Sequence, residues 1–297
     1  MPLTGALIPE PTADGSYTFF SEDFGEWFHS REGAYAEARK TYVEATDLAS
    51  RAQSSHLTLL DVCYGLGYNS AAALETIWQV NPDCRVTLVG LELDGRVPQR
   101  AIAQHLTEGW SLPVQSILQT LANDSEIHTS TLEARLLIGD ARQQIQALVK
   151  QDFQADVIFL DPFSPPHCPE LWTVEFLRQV AQCLCPTGQL ATYSCAAAVR
   201  AALLSAGLHI GPSEAVGRRW PGTLASFTQE GLLPLSPQEQ EHLATRAAVP
   251  YRDPALTDSS SLIWARRQQE QTLSSLEPTS RWRKRWLSST SHVPIGD

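Results

Sequence analysis

The stretch "LLDVCYGLGYNS", from Leu59 to Ser70, joins an apolar run to a Gly-Leu-Gly loop and then to a helix-forming segment. A glycine loop between a strand and a helix has two uses. It permits a tight turn, and it lets a ligand lie close against bare backbone. One such loop is weak evidence for a ligand site. The surrounding sequence is needed to decide whether this loop is only a tight turn or also binds a ligand.

Apolar runs and helix-forming segments alternate from residue 57 to about residue 210. The runs typical of buried strands cover residues 57–62, 85–93, 133–141, 155–160 and 188–194, with later candidates at 208–212 and 223–228. The helix-forming segments cover residues 69–80, 98–106, 142–149, 169–184 and 196–207. The strand candidates are continuously apolar, which is typical of a sheet covered on both faces. The sequence therefore predicts an α/β fold with a doubly wound, Rossmann-like, mostly parallel sheet.

Composition divides the 297 residues into three parts. Residues 1–50 carry aromatic and polar residues in short stretches and are predicted to form an N-terminal β extension with a helix. Residues 51–230 hold the predicted sheet. Residues 231–297 are rich in Pro, Ser and Gln and are predicted to form a C-terminal extension. That extension is expected to contain a helix over 260–274 and to be partly flexible, with disorder in about the last dozen residues.

The charge pattern argues against broad binding of nucleic acid but leaves local patches open. The net charge is −11, whereas phosphate binding relies on clustered Lys and Arg. Two basic clusters also contain aromatic residues: "GRRW" at 217–220 and "RWRKRW" at 281–286. Such clusters can contact phosphates while their rings stack on unpaired bases. The alternative, which composition favours, is a solubilising tail with ordinary surface tryptophans.

The lengths of the apolar runs and the spacing of the cysteines argue against a membrane-spanning, disulfide-rich or zinc-binding protein. No apolar run approaches the roughly 20 residues needed to cross a bilayer, and no secretory signal pattern is evident at the N-terminus. The six cysteines form no CxxC pair, so neither a disulfide framework nor a zinc site is expected. We expect a cytoplasmic protein with reduced cysteines and no metal.

Polar residues follow the ends of successive predicted strands. Ligands of open α/β sheets bind at the carboxyl ends of the strands, where the strand order reverses. The loop 64–69 follows the first strand, and Glu92, Asp140 and Asp161 close the next three. Ser70 stands where a dinucleotide fingerprint has its third glycine, so that fingerprint is incomplete.

Glu92 and Asp140 are placed to contact a nucleoside. Glu92 can accept both ribose hydroxyls, and Asp140 can meet an adenine edge. Either acid taken alone can also be a helix N-cap, which is the commoner role of an acid after a strand. Capping alone is a poor explanation when a glycine loop and two acids occupy three successive strand ends.

This pattern resembles the class I S-adenosylmethionine-dependent methyltransferase fold. A narrower resemblance covers "DVIFLDPFSPPHCPELWTVEFLRQV" and the residues that follow, from Asp156 to Leu208. This segment is similar to the methyltransferase part of the tRNA 5-methylaminomethyl-2-thiouridine biosynthesis family, often called MnmC. "DFGEWFHSREGAYAE" (Asp23 to Glu37) is similar to that family's acid-rich opening, and "YGLGYNS" to its Phe-Gly-Thr-Gly-Leu-Asn loop.

The resemblance runs from about residue 20 to about residue 230. The remaining residues are expected to be too few for the family's flavin-dependent oxidase part. The stretch 215–219 is similar to the family's Gly-x-Gly-Arg-Lys at the second glycine and the two basic positions. Pro162 and Ser164 depart from the family, which usually has Gly and often has Ala at these places.

The resemblance implies transfer of a methyl group from S-adenosyl-L-methionine to the primary amine of 5-aminomethyluridine at a tRNA wobble position. It implies cofactor contacts along the glycine loop and the strand ends, at Tyr64, Gly65, Gly67, Asn69, Glu92, Asp140 and Asp161. A carboxylate beside the cofactor can hold the substrate ammonium and remove its proton, and Asp161 is the predicted catalytic residue. The expected partner is the anticodon region of tRNA.

Six residues are predicted to contact this tRNA substrate: Phe24, Phe28, Phe163, Arg200, Arg218 and Arg219. The phenylalanines are expected to line the pocket, although aromatic residues in a β extension are more often plain core. The arginines are expected to meet phosphates of the anticodon stem. Arg200 lies alone on an otherwise apolar helix, so a structural ion pair is an equal alternative.

Three other functions compete with this interpretation. A methyltransferase for a small-molecule or protein amine would keep the same cofactor residues, and the acidic net charge suits it better. A nicotinamide oxidoreductase is disfavoured by Ser70 and by the lack of an evident hydride-site motif. A catalytically silent binding module is disfavoured because the glycine loop and the three acids occur together.

Overall fold

The computed structural model describes residues 5–214 and 221–289, with side chains to residue 286. A small antiparallel sheet comes first: β1 (Pro9–Pro11), β2 (Tyr17–Ser21) and β3 (Glu26–Trp27). The main sheet contains β4 (His56–Val62), β5 (Arg85–Glu92), β6 (Glu126–His128), β7 (Leu132–Ile138), β8 (Ala155–Leu160), β9 (Leu184–Thr192), β10 (His209–Pro212) and β11 (Thr223–Ser226). The predicted α/β fold with an N-terminal β extension is confirmed.

Helices cover both faces of the main sheet. They are α1 (Ala34–Glu37), which continues as a π-helical segment (Ala38–Glu44), α2 (Leu48–Arg51), α3 (Tyr68–Val80), α4 (Arg96–Ala103), α5 (Leu112–Asp124), α6 (Ala141–Lys150), α7 (Val174–Gln182), α8 (Ala197–Ser205), α9 (Pro237–Leu243), α10 (Ser260–Leu273) and α11 (Thr279–Ser289). Short 3-10 turns occupy Pro169–Trp172 and Arg246–Ala248. None of the helices in the described ranges is long and apolar enough to span a membrane.

Alternate side chains of β4 enter two different cores. Leu57 and Leu59 pack into the cluster on one face, whereas Leu60 and Val62 pack into the cluster on the other. Each of these four side chains is at most 3% exposed. Burial on both faces explains why the strand sequence is a continuous apolar run rather than an alternating one.

The strand order places a crevice beside the glycine loop. The order is β10-β11-β9-β8-β4-β5-β7-β6, in which β7, β5, β4, β8 and β9 are parallel. After β4 the chain first builds outward through β5 and β7, and later returns to the other side of β4 with β8. The order therefore reverses between β4 and β8, and the carboxyl ends of these strands flank the expected ligand crevice.

Ser70 has a structural partner that explains the incomplete glycine fingerprint. Its hydroxyl donates a 2.6 Å hydrogen bond to the carboxyl group of Asp61, which is fully buried in β4. Burial raises the pKa of Asp61 to about 7. The pair ties β4 to the first turn of α3, a link that glycine at position 70 could not make.

Several elements differ from the prediction. Helix α7 begins at Val174 rather than near Pro169, because Thr173 caps it by accepting the N–H of Phe176 at 3.2 Å. The helices α5, α9 and α11 and the short strand β6 were not predicted. Helix α11 extends to Ser289, which lies within the stretch expected to be disordered. Residues 290–297 lie outside the described part of the chain.

Arg200 is a structural residue, so the prediction that it contacts tRNA phosphates is wrong. Its side chain is 3% exposed. Nε donates to the hydroxyl of Thr223 at 2.9 Å, and the two terminal nitrogens donate to Glu239 at 2.8 Å and to the Gly222 carbonyl at 3.2 Å. These bonds join α8 to β11 and α9, which is the ion-pair alternative that the sequence left open.

Replacing Arg200 tests this structural role. Arg200→Met should lower the free energy of unfolding by about 3 kcal/mol, because it removes three hydrogen bonds of a buried guanidinium and leaves the partly buried Glu239 carboxylate without its cationic partner. Urea denaturation followed by circular dichroism measures the change. Arg178→Met is the matched control, because this arginine is exposed and should cost less than about 1 kcal/mol. Equal stability of the two variants would contradict the role of Arg200.

Candidate active site

One cavity of about 690 Å³ lies at the carboxyl ends of β4, β5, β7 and β8. Its size is within the range of small-molecule and cofactor sites. Eight of the predicted site residues line it: Phe24, Phe28, Tyr64, Gly65, Glu92, Asp140, Asp161 and Phe163. The N-terminal extension supplies a second wall through residues 24–31, and the C-terminal extension adds Ser260.

The loop after β4 owes its shape to unusual backbone angles. Cys63, Gly65 and Gly67 have φ values of 71°, 57° and 85°, all in the left-handed region. The N–H groups of Cys63 and Tyr64 both donate to the Leu91 carbonyl, at 3.0 and 2.9 Å, and so hold the loop against β5. A Cβ atom at position 67 would lie 2.6 Å from the Tyr64 hydroxyl, so only glycine fits there. Gly65 lines the cavity, and the loop therefore serves both as a turn and as a ligand surface.

Glu92 is an acceptor built into the floor of the cavity. Its Oε2 accepts the N–H of Gly65 at 2.8 Å, and its Oε1 accepts the N–H of Asp94 at 2.9 Å. Burial raises the pKa of Glu92 to about 7 despite these hydrogen bonds. An ionised carboxylate only accepts, and its two oxygens together offer about four acceptor sites. The group is therefore suited to accept hydrogen bonds from two neighbouring hydroxyls.

Asp140 both caps a helix and lines the cavity. It accepts the N–H of Arg142 at 2.9 Å as the N-cap of α6, and the guanidinium of Arg142 at 2.8 Å. Burial raises its pKa, but the hydrogen bonds from Arg142 outweigh this effect and leave the pKa below its usual value. Arg142 also binds the fully buried Asp253 at 2.9 Å. The C-terminal extension therefore helps to hold the orientation of Asp140.

Asp161 directly follows the last residue of β8 and lines the cavity. Its Oδ2 accepts the side-chain N–H of Asn69 at 2.9 Å, and its backbone N–H donates to the Val62 carbonyl at 3.0 Å. Burial and the negative charge of Glu37 raise the pKa of Asp161 well above its usual value. Asn69 is buried and does not line the cavity, and neither does Gly67. These two predicted cofactor residues shape the site from behind its surface.

Three phenylalanines form an aromatic wall beside Asp161. The rings of Phe24 and Phe163 are stacked, with centroids 4.5 Å apart and an interplanar angle of 23°. The ring of Phe28 meets that of Phe163 edge to face at 5.0 Å. This wall brings together a strand-end loop and the N-terminal extension, so these aromatic residues are not merely core.

The loop that carries Phe163 is fixed from three sides. The Trp172 indole donates to the Phe163 carbonyl at 2.8 Å, and the Tyr193 hydroxyl donates to the Pro162 carbonyl at 2.8 Å. The backbone N–H of Ser164 donates to Glu26 of the N-terminal extension at 2.7 Å, and its hydroxyl donates to the same carboxyl group. The loop is therefore held in place before any ligand binds.

Comparison with known proteins identifies the family. Residues 100–228 match a family model described as S-adenosyl-L-methionine-dependent methyltransferase. The crystal structure of MnmC2 from Aquifex aeolicus is similar with a TM-score of 0.80 and 31% sequence identity, over 92% of this chain and 87% of that chain. The chain belongs to the MnmC-like family of S-adenosylmethionine-dependent methyltransferases.

Two curated relatives of this methyltransferase show the extent of the similarity. An uncharacterized protein of Methanocaldococcus jannaschii is 31% identical over 254 residues, which cover 83% of this chain and 67% of the relative. The tRNA 5-methylaminomethyl-2-thiouridine biosynthesis bifunctional protein MnmC of Aromatoleum aromaticum is 31% identical over 222 residues, or 70% of this chain. The match covers 33% of that protein, so the methyltransferase spans about a third of its length.

The residues of the cavity fit S-adenosyl-L-methionine. Gly65 presents backbone without a side chain, and Glu92 presents a buried acceptor beside it. Asp140 and Ala141 line the next strand end, where a base edge can be met. These residues of the methyltransferase would hold the nucleoside, while Asp161 lies on the side of the aromatic wall. No group of three potential metal ligands occurs among the residues that the structure describes.

Of the two basic clusters, only "RWRKRW" lies in the part of the chain that the structure describes, and its tryptophans pack against α9. Arg218 and Arg219 lie outside the described residues, as does the rest of "GRRW". In α11, the Trp282 ring stacks on His242 at 4.1 Å, and the Trp286 indole donates to Glu241 at 3.0 Å. Both tryptophans therefore hold α11 against α9 instead of facing outward to stack on bases.

Six residues that line the cavity were not predicted from the sequence: Arg31, Arg142, Cys168, Glu170, Tyr193 and Ser260. Glu170 follows the Asp161 loop in the resembling segment, and that proximity was an available signal. Ser260 had none, because its hydroxyl reaches Glu170 from ninety residues further along the chain. Only the three-dimensional fold brings that residue into the site.

Glu92 gives a prediction about cofactor binding and pH. Glu92→Gln should weaken binding of S-adenosylhomocysteine about tenfold, because it removes charge-assisted hydrogen bonds. In the wild-type protein, affinity should rise from pH 6 to pH 8, since the pKa of Glu92 is about 7 and its ionised form is the better acceptor. Isothermal titration calorimetry across this range measures both effects.

The variant itself separates Glu92 from a second candidate. Asp61 has a similar pKa of about 7, so a pH dependence that survives unchanged in Glu92→Gln would assign it to Asp61 and contradict the role of Glu92. Glu133→Gln is the matched control, because this residue is exposed on β7 and does not line the cavity. It should bind like the wild type.

Proposed function

We propose that this methyltransferase transfers a methyl group to the amine of 5-aminomethyluridine at the wobble position of tRNA. The observation that carries the proposal is the pairing of Asp161 with the wall formed by Phe24, Phe28 and Phe163 in one cavity. The names of MnmC relatives, which concern the biosynthesis of a methylaminomethyl uridine in tRNA, support it.

The charge of the cavity suits a cationic substrate. It is lined by the carboxyl groups of Glu26, Glu92, Asp140, Asp161 and Glu170 and by the guanidinium groups of Arg31 and Arg142. Arg142 is already paired with Asp140 and Asp253. An excess of carboxyl groups attracts an alkylammonium ion and disfavours an anionic head group in the same place.

The aromatic wall suits a pyrimidine that carries such an ammonium. A flat uracil ring can pack against the faces of Phe24 or Phe163, as aromatic rings do at offset contacts. The cation attached to the ring can also lie over an aromatic face. Both contacts would bring the aminomethyl group next to Asp161, which lies between the end of β8 and Phe163.

Asp161 is proposed to remove the proton that blocks the reaction. An alkylammonium has a pKa of about 10, so at neutral pH its nitrogen has no lone pair with which to attack carbon. The Asp161 carboxylate can accept this proton, and its raised pKa makes it a stronger base. Asn69 positions the carboxylate through the 2.9 Å hydrogen bond to Oδ2. S-adenosyl-L-methionine, when bound, supplies an electrophilic methyl group attached to a sulfonium sulfur.

The rest of the site contributes orientation. Displacement at carbon requires the nitrogen to approach in line with the bond that breaks, and holding that geometry supplies much of the rate. The bonds from Trp172 and Tyr193 fix the loop carbonyls next to Asp161, and Glu26 fixes Ser164. These contacts keep the proton acceptor and the aromatic wall in a constant relation to the cofactor side.

Replacing Asp161 tests the catalytic assignment. Asp161→Asn should lower kcat about 100-fold or more, because the amide cannot accept the ammonium proton. The wild-type rate should also rise with pH as the carboxylate ionises, and the variant should lose that rise. Steady-state kinetics with tRNA at several pH values measures both. Asp152→Asn, at an exposed position after α6, should behave like the wild type. Full activity of Asp161→Asn would refute the assignment.

Nucleoside mass spectrometry tests the substrate. The tRNA is taken from cells that lack this methylation and is incubated with the protein and S-adenosyl-L-methionine. We expect a gain of one methyl group on 5-aminomethyluridine. Methylation of small amines or proteins without any change in the tRNA would instead support the alternative substrate class, which the net charge of −11 suits.

A further inference from the structure

We infer that Arg31, at the cavity rim, binds a phosphate group of the RNA backbone next to the target nucleotide. The inference rests on the proposed tRNA substrate and adds a binding residue to it. Arg31 lines the same cavity as Asp161 and the aromatic wall, and it is exposed to solvent. It was not among the residues predicted from the sequence.

The guanidinium of Arg31 has no counter-ion in the part of the chain that the structure describes. Within residues 5–214 and 221–286, no carboxylate forms an ion pair with its guanidinium, which lies instead over the Trp27 ring at 5.4 Å from the centroid. The other guanidinium of the cavity, that of Arg142, is bonded to Asp140 and Asp253. Among the described residues that line the cavity, Arg31 is therefore the cation that remains available for an anionic ligand.

The segment that carries Arg31 is held in place. The Arg31 carbonyl accepts the N–H of Ala13 at 2.9 Å. Trp27 pairs with Phe20 in the small antiparallel sheet, and their rings meet edge to face at 5.0 Å. The N–H of Ser30 donates to the buried Glu37 at 2.7 Å. A guanidinium that is stacked on a fixed ring loses less freedom when it binds a ligand.

The electrostatics of the cavity explain why a cation is needed at this place. The carboxyl groups that attract the substrate ammonium repel the phosphates on either side of the same nucleotide. A guanidinium can meet a phosphate with two parallel N–H donors, which makes it well suited to offset that repulsion. Arg31 is exposed at the rim of the cavity. This position fits an RNA backbone that stays outside the cavity while the target base enters it.

The experiment compares Arg31→Ala with Arg85→Ala. Arg85 is exposed at the amino end of β5, which is the edge of the sheet opposite the cavity, so it controls for loss of a positive charge. Binding of tRNA is measured at several salt concentrations. Arg31→Ala should weaken binding about five- to tenfold and reduce the slope of log affinity against log salt by about one. Arg85→Ala should change neither, and Arg31→Lys should restore part of the slope.

Two further measurements make the result specific. Affinity for S-adenosylhomocysteine should be unchanged in Arg31→Ala, and so should methylation of the free nucleoside 5-aminomethyluridine, which has no phosphate. Equal tRNA binding by the two alanine variants would overturn the inference. A loss of S-adenosylhomocysteine affinity would also overturn it, because Arg31 would then serve the cofactor's carboxylate. If the wild-type protein neither binds nor methylates tRNA, the proposed function fails first, and this inference fails with it.

Discussion

A bridge between two strand ends underlies the whole site. The last residues of β5, Leu91 and Glu92, accept three backbone N–H groups of the loop after β4. These bonds hold the loop in a conformation that requires left-handed angles at Cys63, Gly65 and Gly67. The start of α3 depends on that conformation, and so does the position of Asn69, which orients Asp161 across the crevice. A substitution that breaks these hydrogen bonds would therefore displace both the residues proposed to hold the cofactor and the proposed base, Asp161.

The sequence is most informative where interactions are local. Strands such as β4 can be recognised in the sequence because burial of both faces requires a continuous apolar run. The residues that follow parallel strands lie at the same edge of the sheet. Glu92, Asp140 and Asp161 could be placed at one edge of the sheet for this reason. The sequence left two roles open for Asp140, a helix N-cap and a residue of the ligand site. In the structure Asp140 both caps α6 and lines the cavity.

Prediction failed where a residue's partner lies far along the chain. Arg200 looks like a lone cation on an apolar helix, but Glu239 approaches it from a helix thirty-nine residues later. From the sequence, Trp282 and Trp286 could belong to a surface that stacks on bases, but in the structure both contact residues of α9. Ser260 carries no local signal at all. In each case the missing information is a tertiary contact, which no window of sequence contains.

The contact between Glu26 and Ser164 has a consequence for how such sites diverge. The backbone N–H bond of residue 164 survives any substitution except proline, whereas the hydroxyl bond requires Ser or a similar side chain. Where alanine occupies this place, an acid at the position of Glu26 would lose one of its two donors. Positions 26 and 164 should therefore change together during evolution. The residue at 164 decides whether one hydrogen bond or two join the N-terminal extension to the loop that carries Phe163.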